Sequence, residues 1–110
     1  MPYIPPQQRQ ALDPLIDALA ARIVQEAQGL EPQAAFAGLL NYTCTRLALK
    51  IVQQRRGRLR YWLIALLTGT FKNIADEFYR RLAGPYEDKQ RARHGDVDVY
   101  ADFLRELEEP

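Results

Sequence analysis

The stretch Leu59–Ala83, with the sequence LRYWLIALLTGTFKNIADEFYRRLA, decides the fold class of this chain. Its large apolar residues, such as Leu67, Ile74 and Phe78, recur at steps of four and seven, which is the period of an α-helix. The segment YWLIALL inside it is apolar on every side of that helix. Because a three-helix monomer cannot cover such a helix fully, we expect it to lie at the centre of a bundle or to meet its copy in a second subunit.

Two more helical patterns precede this stretch and a polar tail follows it, with none of the alternation that strands show. The sequence therefore predicts one all-α domain, a small antiparallel helical bundle of two to three long helices plus a short C-terminal helix, assembled as a homo-oligomer. The predicted parts are an N-terminal arm at 1–11, helices at 12–28, 33–55 and 59–83, and a polar tail at 84–110 that holds the short helix.

Prolines and glycines set these predicted boundaries. Asp13 is a good N-cap, and Pro14 suits the first helical position, where a missing N–H costs nothing. Pro32 has the same place in the second helix, and Gly57 interrupts the chain before the third. Gly84-Pro85 combines a C-terminal glycine with a residue that cannot continue a helix, so we expect the third helix to end there.

Length and charge narrow the possible functions only a little. The 110 residues are 47% hydrophobic and 26% charged, with a net charge of +1, which is ordinary for one globular domain. The charge is unevenly placed, since 46–60 holds six basic residues and no acid, whereas 96–110 holds six acids and one arginine. Such a basic block and acidic tail can neutralise each other within one subunit or between neighbours.

No pattern of residues typical of catalysis or metal binding is found in the sequence. It lacks a phosphate-binding glycine loop, a nucleophile motif and a paired-histidine motif, and Cys44 is the single cysteine. We therefore expect a protein without enzymatic activity, cofactor or metal. Because no N-terminal leader and no apolar run of bilayer length is present, we also expect a cytoplasmic protein without a membrane partner.

A polar cluster, NYTCTR at Asn41–Arg46, interrupts the second helix. Tyr42, Thr45 and Arg46 fall at steps of three and four, so they share one face of a helix. Two interpretations stay open. Either this face is exposed to solvent, with threonine hydroxyls bonded to the preceding turn, or it is an interfacial cluster that contacts a ligand.

A second set of charges lies near the end of the third helix. Asp76 precedes Arg80 by four residues, and Glu77 precedes Arg81 in the same way, which is the favourable order for ion pairs on a helix. As ion pairs these charges are structural. If their face meets a second subunit instead, Arg80 is a buried cation that requires an anion.

The segment after Pro85, YEDKQRARHGD, also has two interpretations. As a solvated helix end it is structural, since Glu87 can pair with Arg91 and His94 is typical of a residue that the helix dipole stabilises at a C-terminus. As part of a site, it offers an aromatic ring and several charges next to a rigid proline.

The order of these polar stretches resembles a family of small proteins of unknown function found in phages, prophages and other mobile elements. The pieces that carry the resemblance are Asn41-Tyr42, Glu77–Arg81, Tyr86–Lys89 and Gly95–Val97, and it covers the chain to about Val99. The resemblance brings no catalytic residues with it. It implies an inhibitor, an adaptor or a sequestering protein, of the kind that traps nucleotide immune signals in pockets between subunits.

From this resemblance and the residue chemistry we expect a non-enzymatic, phage-type protein. It would sequester an anionic, nucleotide-like small molecule, such as a host immune signal in the host cytoplasm, in a pocket at a subunit interface. Tyrosine rings would cover a base, cationic side chains would hold phosphate, and amide and carboxylate groups would read the ribose and base edges. The candidate residues are Asn41, Tyr42, Thr45, Arg46, Tyr79, Arg80, Arg81, Tyr86, Glu87, Asp88 and Lys89.

Two other functions stay open. One is an inhibitor or adaptor that binds a host protein through an exposed helix face. The other is a nucleic-acid binder that uses the basic residues of Arg55–Arg60 on phosphates and Tyr61 or Trp62 on bases.

Overall fold

The computed structural model describes residues 2–30 and 35–109, and these ranges are helical almost throughout. The all-α prediction is confirmed. The bundle arrangement and the homo-oligomer stay predictions. Within the described ranges the elements are α1 (Pro6–Ala27), α2 (Ala35–Gln54), α3 (Tyr61–Phe78), a π-helical turn (Tyr79–Ala83), α4 (Gly84–His94) and α5 (Asp98–Glu108).

The first helix begins earlier than the sequence predicts, so residues 6–11 belong to α1 and not to an arm. The carbonyl of Pro5 accepts hydrogen bonds from the N–H groups of Gln8 and Arg9, at 3.1 and 3.2 Å. Pro6 opens the helix, because its ring presets φ and its missing N–H costs nothing at this position.

Pro14 therefore lies inside α1, and the predicted N-cap at Asp13 is wrong. A proline inside a helix removes one backbone hydrogen bond and costs about 3 kcal/mol. Most residues of the preceding segment, QQRQA at 7–11, are good helix formers and favour the earlier start. The other end agrees with the sequence, because α1 stops at Ala27 and Gly29 follows with φ 80°.

The second helix, α2, packs against α1. Its predicted first residues, including Pro32, lie outside the described ranges, and the helix ends at Gln54. Among the described residues, the buried apolar side chains are Val52 near the end of α2 and Leu63 near the start of α3, at 9% and 5% exposure. The best-buried side chains therefore lie on either side of the connection between these two helices.

The basic turn, Arg55–Arg60, forms that connection, so the break predicted at Gly57 is present. Gly57 has φ 106°, a conformation that residues with a Cβ rarely adopt. The carbonyl of Arg60 accepts from the N–H groups of Leu63 and Ile64, at 3.0 and 3.1 Å, and so starts α3 at Tyr61 rather than at the predicted residue 59.

One side chain holds the basic turn together. The guanidinium of Arg55 folds back and donates to the carbonyls of Arg56 and Arg58, at 2.7 and 3.4 Å. The guanidinium carbon also lies 5.7 Å from the centroid of the Trp62 ring, within range of a cation–π contact. Arg55 is therefore part of the fold.

The third helix does not end at Gly84-Pro85, so this prediction is wrong. Gly84 has φ −56° and ψ −55°, an ordinary helical conformation, and the chain stays helical to His94. The turn before it is wider, because the N–H of Gly84 donates to the carbonyl of Tyr79, five residues back. Pro85 has no N–H, and its ring crowds the carbonyl four residues before it. The π-helical turn accommodates this proline without ending the helix.

The chain divides into two compact units, Met1–Thr70 and Phe71–Pro110, whose sequence boundary lies inside α3. In the second unit α4 ends at His94, and Gly95 follows it with φ 91°. The last helix begins at Asp98 with Val97 as its N-cap, so Asp98 lies in the first turn of α5 and does not cap it.

The helices leave most of their large apolar side chains exposed. In the segment YWLIALL, Tyr61 is 84% exposed, Trp62 59% and Leu66 57%. Fully burying one leucine, isoleucine or phenylalanine side chain stabilises a protein by about 1.5–3 kcal/mol. In the single chain, these side chains therefore contribute only part of the free energy that their full burial would provide.

Candidate ligand-binding site

One face of α2 forms a cleft of about 280 Å³, the α2 cleft. It is lined by Tyr42, Thr45, Arg46, Leu49, Lys50 and Gln53. A neighbouring hollow of about 580 Å³ shares Tyr42 and Thr45 and adds Asn41. The four predicted residues of α2 therefore lie on one surface, and this surface is open to solvent because all of its lining residues come from one helix. Their role in binding stays a prediction.

Backbone hydrogen bonds use the threonine hydroxyl protons of this helix. Thr45 donates to the carbonyl of Asn41 at 2.8 Å, and Thr43 donates to the carbonyl of Leu39 at 2.7 Å. These are the bonds to the preceding turn that the solvent-face interpretation predicts. The Thr45 oxygen keeps a lone pair, so it can still accept a hydrogen bond from a ligand.

The α2 cleft is positively charged. The sequence of α2 contains no acid, and both Arg46 and Lys50 are exposed. Lys50 donates to Gln53 at 3.2 Å, whereas Arg46 has no hydrogen bond or ion pair within residues 2–30 and 35–109. The Tyr42 ring, 63% exposed, lines the same cleft. A guanidinium and an open aromatic ring on one surface can take an anion together with a planar group.

In the second unit, the structure brings together Tyr79 and Glu87 of the predicted set. The Tyr79 hydroxyl donates to both carboxylate oxygens of Glu87, at 2.6 and 2.7 Å. This hydrogen bond raises the pKa of Tyr79 above its ordinary value, and desolvation and the negative charge of Glu87 add to the shift. Glu87 therefore accepts a strong hydrogen bond from within its own unit.

Arg80 pairs with Glu77, not with Asp76 as the sequence predicts. Its Nη2 lies 2.6 Å from Glu77 Oε1, and its Nε donates to the other carboxylate oxygen at 3.4 Å. The Arg80 side chain is 67% exposed, so solvent screens the pair and its contribution is only about 0–1 kcal/mol. Glu77 therefore occupies the Nε and Nη2 edge of the guanidinium, which is one of the edges that can bind a phosphate in a bidentate way.

A hollow of about 420 Å³ lies along α4 and the turn after it. It includes Glu87 and Asp88 of the predicted set, together with His94 and Tyr100. Arg91, which also lines it, pairs with Asp88 at 3.5 Å, so the predicted pair of Arg91 with Glu87 is wrong. The mixed charge of this hollow suits an anion less well than the α2 cleft does.

Tyr86 and Lys89 lie on a different face of α4 from Glu87. They are three residues apart and thus neighbours on the helix surface, and Tyr86 is 63% exposed. The predicted site residues therefore fall on several surfaces, the α2 cleft in the first unit and the faces around α4 in the second.

Residues 1–97 match the model of a family described as a domain of unknown function, DUF6899. The chain belongs to this family. Searches of curated proteins and of solved structures gave no significant match. The DUF6899 region includes the α2 cleft, the π-helical turn and α4, and it ends one residue before α5 begins at Asp98. The predicted phage association stays a prediction.

The basic turn of this DUF6899 protein offers fewer cations than its sequence suggests. Arg55 is occupied by carbonyls of the turn and covers one face of Trp62. Its Nε is buried and has no hydrogen-bond partner among the described residues, so this atom costs stability while the two terminal nitrogens bind the turn. Arg56, Arg58 and Arg60 are exposed and remain accessible to phosphates.

Sequence reasoning missed three parts of these surfaces. Lys50 and Gln53 continue the spacing of Tyr42 and Arg46 along α2, so helical periodicity alone could have added them. Tyr100 lies beyond the glycine that ends α4, and no local pattern connects it to Glu87.

Among the described residues, no group of histidine, cysteine, aspartate or glutamate side chains is placed to hold a metal ion. No described helix has both the length and the apolar character that a membrane crossing requires.

Proposed function

We propose that this DUF6899 protein binds an anionic, nucleotide-like small molecule without turning it over, and that the α2 cleft is the binding surface. The observation that supports this most directly is the exposed guanidinium of Arg46. It lies in the same cleft as the Tyr42 ring, on a helix without acids. Arg46 and Lys50 hold the phosphate, and the Tyr42 ring covers the base.

The groups around this pair complete the recognition of a nucleotide. Asn41 has an amide that can donate and accept at a base edge, and the Thr45 oxygen can accept from a ribose hydroxyl. Arg80, Arg81, Tyr86 and Lys89 lie in the second unit, and they are the cationic and aromatic groups that a neighbouring subunit can bring to the ligand. In the mobile-element setting that the resemblance implies, such a protein sequesters a host signal in an oligomer.

The test is a thermal-shift and calorimetric titration of the purified protein with ATP, cyclic AMP and a cyclic dinucleotide. A ligand that binds the folded state at 100 times its Kd stabilises it by about 2.7 kcal/mol, which gives a measurable rise in Tm. Arg46→Gln is expected to abolish the shift and to leave the Tm of the unliganded protein within a few degrees, because Arg46 has no partner within the described ranges.

Arg58→Gln is the matched control, because it removes the same charge from an exposed position outside the cleft. It is expected to retain the full shift. Equal loss in both variants would mean general electrostatic attraction, and no shift with any of the three nucleotides would reject the proposal. Chromatography of the nucleotides after incubation tests the absence of turnover.

A nucleic-acid binder is the second candidate, and the exposed Arg56, Arg58 and Arg60 favour it, with Tyr61 84% exposed beside them. If these three arginines neutralise phosphates, the logarithm of the binding constant for single-stranded DNA falls with the logarithm of salt at a slope of roughly −2. Arg58→Gln reduces that slope, whereas Arg46→Gln leaves it unchanged. The two variants therefore separate the two candidate functions.

A further inference from the structure

The binding groups of the α2 cleft lie in a fixed order along one side of the helix. Tyr42 and Gln53 are separated by about three helical turns, so they lie on the same side of α2 and about 16 Å apart along its axis. Arg46 and Lys50 come between them. The α2 cleft therefore has a cationic centre, with an uncharged recognition group at each end.

The cationic centre is a pair of like charges without a counter-ion nearby on the helix. Arg46 and Lys50 are spaced i, i+4, and like charges at this spacing repel each other. The sequence of α2 contains no acid, and neither side chain forms an ion pair within residues 2–30 and 35–109. An anion that binds both side chains relieves the repulsion. The phosphate of a ligand therefore belongs at the centre of the cleft and not at one of its ends.

Lys50 also prepares the end of the cleft at Gln53. Its ammonium donates to the Gln53 side-chain carbonyl at 3.2 Å, so the Gln53 amide directs its two N–H donors elsewhere. These donors have no partner among the described residues, and the Gln53 side chain is exposed. Lys50 keeps two of its three donors for a phosphate. The amide is thus free to donate to the acceptor atoms at the edge of a base beside that phosphate.

A mononucleotide can use only half of this arrangement. It has its phosphate at one end and its base at the other, so a phosphate at the cationic centre lets the base reach either Tyr42 or Gln53. Because the surface is open to solvent, affinity depends on how many of its groups one ligand contacts at once. A ligand whose phosphate lies between two nucleosides contacts both ends.

We propose that the ligand of the α2 cleft is a dinucleotide whose phosphate binds Arg46 and Lys50. One base lies on the Tyr42 ring, and the other accepts hydrogen bonds from the Gln53 amide. Leu49 lies between the two ends and is 51% exposed, so it offers an apolar contact to a ribose. This inference rests on the proposed function, since it names the class of nucleotide that the same cleft binds.

Calorimetric titrations of the full chain test the inference by comparing dinucleotides with mononucleotides. The ligands are ApA, CpC, GpG and UpU, each compared with the corresponding nucleoside monophosphate. A phosphomonoester carries a charge of about −1.5 to −2 at pH 7, more than the single charge of a phosphodiester, so charge alone favours the mononucleotides. We expect instead that at least one dinucleotide binds on the order of 10-fold more tightly, which is the effect of one added hydrogen bond.

Gln53→Leu is the decisive variant. It is expected to weaken binding of that dinucleotide about 10-fold and to leave the Kd of the mononucleotide within about two-fold, because the mononucleotide binds at the Tyr42 end. Gln54→Leu is the matched control, since it makes the same change at an exposed position of α2 outside the cleft. It is expected to bind both ligands as the native protein does.

The possible results separate this inference from the proposed function. If every mononucleotide binds at least as tightly as its dinucleotide, or if Gln53→Leu binds the dinucleotide normally, the inference is overturned and the proposed function stands. If none of these ligands binds, both are rejected. A long single strand of DNA that binds far more tightly than every dinucleotide also overturns the inference, and that result favours the nucleic-acid candidate.

Discussion

The basic turn and the π-helical turn each place a glycine just after charged or helix-forming residues, yet their backbones differ. At Gly57 the chain takes φ 106° and leaves the helix, whereas at Gly84 it takes φ −56° and stays in it. Next to Gly57 the Arg55 guanidinium donates to the carbonyls of Arg56 and Arg58, which belong to the turn that follows the helix. Next to Gly84 the backbone finds its own partner, the carbonyl of Tyr79.

The difference teaches that a glycine does not by itself end a helix. A helix end leaves four carbonyls without intrahelical partners, and it becomes favourable when something else satisfies them. In the basic turn a folded-back arginine instead bonds two carbonyls of the turn itself and so stabilises the path of the chain out of the helix. At Gly84 no such cap is needed, because widening the turn by one residue keeps the backbone bonded and makes room for Pro85.

The largest effect is expected at Gly57. Gly57→Ala is strained at φ 106°, whereas its Cβ would meet Nη1 of Arg55 at 3.4 Å, an ordinary contact with the end of a flexible side chain. We expect the free energy of unfolding to fall by about 1–3 kcal/mol. Urea unfolding followed by circular dichroism measures it. An unchanged midpoint would mean that the turn readily adopts another conformation.

The opposite sign is expected at Gly84. Its φ is helical and a Cβ would meet only the Tyr79 carbonyl at 3.7 Å, an ordinary contact. Gly84→Ala should therefore raise the free energy of unfolding by about 0.5–1 kcal/mol, the usual gain of alanine over glycine in a helix. Gly69→Ala, at an open position in α3, is the matched control and should give a similar gain. If Gly84→Ala lowers the free energy of unfolding while Gly69→Ala raises it, the third helix ends at Gly84, as the sequence predicts.

The smallest effect concerns the pair that the π-helical turn brings together. The neutral Tyr79 hydroxyl donates to Glu87, and this hydrogen bond raises the pKa of Tyr79. The pair therefore stabilises the folded protein at pH values below the ordinary tyrosine pKa of 10.0. This contribution is lost as pH rises through the raised pKa, because the hydroxyl then loses its proton. Phenolate absorbance of the native protein, minus that of Tyr79→Phe, reports the titration of this one residue. Glu87→Gln should move its pKa back down, and an unmoved titration would show that the pair does not form in solution.

Periodicity and glycines made the all-α class and several helix ends predictable. Gly29 and Gly57 take positive φ where the predicted helices end, and Gly95 takes positive φ after α4. The start of α1 was not predictable in this way, because Pro6 and Pro14 each suit the first turn of a helix. The partner of Arg80 was equally open, since a helix surface places both Asp76 and Glu77 within its reach.

The Tyr79–Glu87 pair escaped prediction for a geometric reason. In an uninterrupted α-helix, a residue meets its neighbour two turns on at a separation of about seven residues. The π-helical turn adds a residue, so the separation becomes eight. Only knowledge of the wider turn identifies Glu87 as the partner, and the sequence points instead to a helix end at that place. For the α2 cleft the period is undisturbed, and Tyr42, Thr45 and Arg46 could be grouped from the sequence.

The threonine hydroxyls of α2 and α3 have a consequence for hydration. Thr43, Thr45, Thr68 and Thr70 each donate to the carbonyl four residues before them, at 2.7 to 2.8 Å. A hydroxyl that is already bonded sheds its solvent shell at a smaller cost than an unbonded one, because its proton loses no partner. When water leaves these surfaces, each of the four threonine protons keeps its partner, so removing water from these helix faces costs less than their polar sequence suggests.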